Sequence, residues 1–119
     1  MAEYFLFYIG LSLFLIHEMD AIRYKEWKMF PILSSLSEKQ GYIIFVSFHI
    51  PIFVLIFWLI TNASTIEIFA KIFDVFMIVH FLLHVIFLKH EKNKFKDKFS
   101  WSIITSIAIC GILDIILFR

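Results

Sequence analysis

Residues 4–30 read YFLFYIGLSLFLIHEMDAIRYKEWKMF, and this stretch decides the fold. A membrane helix needs about 20 mostly apolar residues, and the run from Tyr4 to Ile22 meets that length. His17, Glu18 and Asp20 nevertheless stand on it before it ends. The continuation YKEWKMF mixes charge with aromatics, as chains do at a membrane–water boundary. Three further segments, 41–60, 66–88 and 99–118, have the same length and apolar character. The connections between them are short, which favours antiparallel neighbours. The expected architecture is therefore all-α, an integral membrane four-helix up-down bundle forming a single domain over residues 1–119.

Composition agrees. Of the 119 residues 61% are hydrophobic, with a mean hydropathy of +0.89, whereas water-soluble domains are typically about 45–50% apolar. The formal net charge of +1 argues neither for nor against nucleic acid, but the loop lysines read as topogenic charges near anionic headgroups, so membrane lipids are the expected partners and nucleic acid is not. Cys110 is the only cysteine, which leaves no disulfide framework and no thiolate cluster. Met1-Ala2-Glu3 lacks a basic start, and no small-x-small cleavage site follows the apolar run, so the first segment reads as a retained span.

Boundary chemistry supports the four spans. Ser37–Gln40 and Ser64–Glu67 both fit the capping-box pattern. Pro31 ends the continuation of the first helix, and Pro51 should kink the second. The first loop carries Arg23, Lys25, Lys28 and Lys39, and the third carries Lys89, Lys92, Lys94, Lys96 and Lys98. The second loop has no basic residue. By the positive-inside rule both basic loops are cytoplasmic and both termini lie outside. Trp27 and Trp101 then suit the cytoplasmic aromatic belt, and Trp58 the outer one. Glu26 reads as part of the same interfacial anchor, pairing with Arg23 or a loop lysine.

Orientation converts position into depth at about 1.5 Å per residue. His17 lies about 7 Å inside the cytoplasmic boundary, His84 about 6 Å, and His49 and His80 about 12 Å. Histidines from three helices thus reach one half of the membrane. His80 and His84, at i and i+4, share a face. His17 and Asp20, three residues apart, can face one interior, while Glu18 points towards a neighbouring helix or the interface. Ser102, Ser106, Cys110 and Asp114 form an i+4 stripe on the fourth span, suited to close helix approach. Asp74 and Asp114, each about 21 Å from the cytoplasmic end, form a second layer whose members can share one proton.

Imidazole with carboxylate suits zinc, iron or manganese. The candidate metal ligands are His17, Asp20, His49, His80 and His84, and Glu18 and Asp20 are the candidate catalytic carboxylates. A divalent metal with an open position activates bound water near neutral pH, so the leading reading is a membrane metalloenzyme, hydrolase or oxidoreductase, acting on a lipid or other membrane-soluble substrate. The pair His17-Glu18 does not extend to the H-E-x-x-H motif, because Ala21 occupies the second histidine's place. Other readings stay open: haem held by paired histidines, a proton- or ion-coupled transporter or channel using both polar layers, and a non-enzymatic interaction or effector protein. Assembly into a homo-oligomer is compatible with all of them.

The stretches HEMDAIRYKEW, FHIP, VHFLLH with a further His at position 90, NKF and SWSII resemble a family of small four-helix bacterial membrane proteins of unknown function. The resemblance spans nearly the whole chain. It carries over to His17, Glu18, Asp20, Glu26, Trp27, His49, Pro51, His80, His84, His90, Asn93 and Trp101. It implies the four-helix fold and a multi-pass location in a bacterial inner membrane, and it implies no activity.

Overall fold

The computed structural model describes residues 2–91 and 97–119. Lys92, Lys94 and Lys96 of the basic third loop, and Asn93, lie outside the described residues. Four helices carry the chain: α1 (Phe5–Arg23), α2 (Glu38–Thr61), α3 (Ile66–Ile86) and α4 (Lys98–Phe118). Each is part of a segment long and apolar enough to cross a membrane, and the molecule is 44 Å in its longest dimension. A bilayer with its headgroup regions is about 40–45 Å thick.

α1 and α3 run one way, α2 and α4 the other. The end of α1 meets the start of α4 through Arg23 and Asp97, and the start of α1 meets the end of α4 through Glu3 and Arg119. Two ends are stopped by side chains. Ser37 and Gln40 form a reciprocal capping box at α2, and Asp97 accepts the Ser100 backbone N–H at 2.7 Å at α4. The expected box before α3 does not form. The Thr65 hydroxyl instead donates to the carbonyls of Leu59, at 2.8 Å, and Asn62, at 3.1 Å. Glu67 is drawn away to Lys71 and Arg119. α2 runs through Pro51 without a break in its helical span.

In hydrocarbon, apolar burial does little to drive helices together, so close fit must hold them. The fit is visible along α1, α3 and α4, where Phe7, Leu11, Phe14, Phe73, Met77 and Ile107 form the core. Phe73 meets Phe14 edge-to-face at 5.5 Å and Phe7 at 5.8 Å. A Cβ on Gly111 of α4 would stand 2.9 Å from the Asp74 carbonyl oxygen on α3, so glycine permits that contact. The expected small-residue stripe of α4 is only half used. Cys110 and Asp114 are buried, but the hydroxyls of Ser102 and Ser106 donate to carbonyls of their own helix. The working face of α4 is instead Ser100, Ile103, Ile104, Ile107, Ala108 and Gly111.

α2 stands apart, burying only Gly41, Phe45 and Ile56. An apolar groove of about 860 Å³ runs between α2 and α3.

Candidate metal centre

His17 on α1 and His80 and His84 on α3 meet inside the half of the bundle that holds the first and third loops. All three are buried. Their ring centroids lie 4.6 Å apart for His17–His80, 4.9 Å for His17–His84 and 4.6 Å for His80–His84. The Nε2 atoms of His80 and His84 are 3.2 Å apart. The i, i+4 spacing places the α3 pair on one face, and the parallel course of α1 brings His17 to the same level.

The fourth member is Glu26. After α1 ends, Lys25 takes a left-handed conformation with φ 52°, the only positive φ among the described residues. Such a conformation is uncommon outside glycine and costs energy. Here it reverses the chain into a short 3-10 turn, Glu26–Met29, whose Trp27 is buried. A Cβ on Gly41 would come within 2.4 Å of the Trp27 indole Nε1, so the indole seats directly against the α2 backbone. The turn carries Glu26 back under the histidines, with Oε1 3.9 Å from His84 Nε2. His17, Glu26, His80 and His84 each offer a ligand atom, and these atoms lie within 4.8 Å of one another. Burial first, and then the neighbouring Glu18 carboxylate, pushes the Glu26 carboxyl up to about 8. A carboxyl so placed stays neutral at neutral pH unless a cation joins it.

Glu26 and Trp27 therefore are not the surface anchor that the sequence suggests. On a continuous α-helix Glu26, nine residues after His17, would point about 180° away from it. Only the reversal at Lys25 brings it back, and a lysine gives no glycine-like signal of that turn.

The other candidates are placed in separate contacts. Asp20 is buried, but it accepts a hydrogen bond from the Ser100 hydroxyl and pairs with Arg23 at 2.9 Å. Arg23 also donates to Asp97 at 3.0 Å, and the Tyr24 hydroxyl donates to the same carboxylate. Asp20 thus ties α1 to α4 and lies outside the imidazole group. His49, from the detached α2, reaches Glu18 rather than the other histidines. Its Nδ1–H donates to the Phe45 carbonyl at 2.6 Å, and Nε2 lies 2.6 Å from Glu18 Oε2. With Nδ1 committed as a donor, the second contact needs a proton between the two groups, on either the imidazole or the carboxyl. Glu18, Glu26, His49, His80 and His84 together line one end of the apolar groove.

The second layer sits at the opposite end. Asp74 and Asp114 are fully buried and face each other across α3 and α4. Arg119 closes this layer: its Nε donates to Asp114 Oδ2 at 3.0 Å and lies 4.0 Å from Asp74 Oδ2. The same guanidinium donates to Glu67 at 2.9 Å and to the Glu3 carbonyl at 3.0 Å, and it stacks on Tyr4. The sequence carries no signal of this role for Arg119, since one basic residue after an apolar span reads as a solvated end.

The class defined so far is a four-helix membrane-type bundle with a buried three-histidine, one-glutamate centre. Residues 3–119 match the family described as "Family of unknown function (DUF6713)", and the chain belongs to that family. No curated protein and no solved structure matches the chain.

Proposed function

We propose that this chain is a metal-binding integral membrane protein that holds zinc, iron or manganese through His17, His80, His84 and Glu26. The observation that carries the proposal is the convergence of these four ligand atoms within 4.8 Å. Metal–nitrogen bonds of about 2.0–2.1 Å in a tetrahedron put neighbouring ligand atoms about 3.3 Å apart. The 3.2 Å between the Nε2 atoms of His80 and His84 fits that edge. Two facing imidazole nitrogens at this distance suit a small ion between them; a haem needs its axial histidines on opposite faces of the macrocycle. The wider separations in the group leave coordination positions for water or a substrate oxygen, which supports a metal-dependent hydrolase or oxidoreductase.

In this reading Glu18 and His49 hold a proton beside the site, and Asp20 positions the end of α1. The polar end of the groove lies in the half of the bundle that carries both basic loops. Positive-inside orientation places that half at the cytoplasmic leaflet of a bacterial inner membrane, with both termini outside. The substrate is then membrane-borne, and copies of the chain can associate through their lipid-facing helices.

Elemental analysis of detergent-purified protein tests the proposal. The expected result is one zinc, iron or manganese per chain, lost together with thermal stability on treatment with a chelator. Metal-free protein whose unfolding ignores both chelator and added metal would overturn it.

A further inference from the structure

Resting on the metal-centre reading above, we propose that the groove between α2 and α3 holds one long-chain fatty acyl compound. Its hydrocarbon tail lies along the two helices, and its carboxyl or ester oxygens meet the histidine–glutamate end.

Three observations converge on this occupant. The first is shape. On α2 the wall runs from Phe45 to Leu59 along one helical face, through Phe48, Ile52 and Leu55. At 1.5 Å per residue this is about 21 Å, longer than half of a hydrocarbon core about 30 Å thick. On α3 the facing wall is Phe69, Phe73 and Phe76, followed by His80 and His84 and, beyond them, Phe87. The slot is long and apolar, and it suits an extended chain better than a compact ligand.

The second is the sorting of polarity. All five of its ionisable side chains, Glu18, Glu26, His49, His80 and His84, stand in the loop-side half, and the stretch towards Leu59 and Phe69 is wholly apolar. A groove that served only bulk lipid has no need for them, because lipid headgroups stay at the interface and ionisable groups inside a membrane are costly. The polar end therefore calls for a ligand whose oxygen atoms sit below the headgroup level.

The third is His80. Its ring is buried, Nε2 faces His84, and Nδ1 has no hydrogen-bond partner among the described residues. His80 also lines the groove, so a ligand there lies beside an imidazole whose Nε2 is given to the metal, and a fatty carboxylate offers that cation an anionic oxygen.

Photocrosslinking of the full chain in nanodiscs tests this. The probe is a palmitic acid carrying a diazirine near its methyl end, with adducts mapped by mass spectrometry and metal content measured on the same samples. Saturable labelling at Leu55, Leu59 or Phe69, at the end of the groove away from the histidines and blocked by unlabelled palmitic acid, is expected. Ile52→Trp with Leu55→Trp should fill the slot and lower labelling about tenfold at unchanged metal content. Phe57→Trp, on the exposed face of α2 away from the groove, should leave labelling unchanged. Labelling that spreads over Phe57, Ile68 and Ile116 and resists competition would overturn the inference. Displacement by phosphatidylglycerol but not by palmitic acid would mean that a two-chain phospholipid fills the groove and would overturn the single-chain assignment. Saturable labelling of a protein that binds no metal would overturn the metal reading and retain the groove; bound metal with unsaturable labelling would do the reverse.

Discussion

The Nε2 atoms of His80 and His84 face each other at 3.2 Å, one helical turn apart on α3. Neither a lipid-facing helix nor a simple core gains from two imidazoles held this way. The pair is worth its desolvation if something lies between the rings, a proton or a metal ion. His17 and Glu26 complete a group that could hold the ion.

The carboxylates rank differently in structure than in sequence, and metal titration can separate them. Glu26→Gln and His84→Ala should each weaken zinc or manganese binding by about tenfold or more, since each removes a charged or nitrogen ligand. Asp20→Asn should leave affinity nearly unchanged while lowering the unfolding temperature, because Asp20 serves Ser100 and Arg23. Equal losses of affinity for Asp20→Asn and Glu26→Gln would contradict the four-residue centre.

Gly41 and Trp27 control the position of Glu26. In Gly41→Ala the new methyl would meet the indole at 2.4–2.5 Å, at Nε1 and Cδ1. The ring must move, and the turn that bears Glu26 moves with it. The expected cost is about 1–3 kcal/mol of stability, with red-shifted tryptophan emission and weaker metal binding in the same variant. A variant that unfolds and binds metal like the parent would show that the turn is not wedged here.

Asp97 confers an acid sensitivity on the start of α4. The Ser100 backbone N–H, and after it the Tyr24 hydroxyl, holds this carboxyl down to about 2. The ordinary aspartate value is about 3.9. Between these values the unfolded chain binds more protons than the folded one, so stability falls as pH falls from about 4 towards 2 and is fully present above that window. Asp97→Asn keeps a capping side chain but cannot titrate, so its unfolding temperature should vary less across this window. Parallel pH profiles for parent and variant would refute the assignment.

Gly111 and Gly10 make a paired test of helix packing. A methyl at Gly111 would press on the Asp74 backbone oxygen at 2.9 Å, whereas at Gly10 it would press on the flexible end of Met77 at the same distance. Backbone cannot yield as a methionine tip can. Gly111→Ala should therefore cost about 1–3 kcal/mol and Gly10→Ala clearly less, as read by denaturation in mild detergent. The reverse order would show that α1, not α3, sets the position of α4.

Much of the architecture is legible in the chain itself. The length and apolarity of four segments determine four helices, because a backbone without water must bond within its own segment. Their short connections determine the up-down course. The periodicity of His80 and His84, and the depth of His17 beside them, follow from helical rise and rotation alone. Three members of the centre could therefore be read from 17, 80 and 84 as positions.

Tertiary structure decided which other residues joined them. Glu26 enters because Lys25 adopts φ 52° and Trp27 locks onto Gly41, a reversal that no local pattern announces. His49 stays out because α2 stands off the bundle and reaches only Glu18. Asp20 stays out because Ser100 of α4 takes its carboxylate. A helix period fixes the direction of a side chain about its own axis. It does not fix how far the next helix stands or which donor it presents, and those two quantities chose the fourth member of the group.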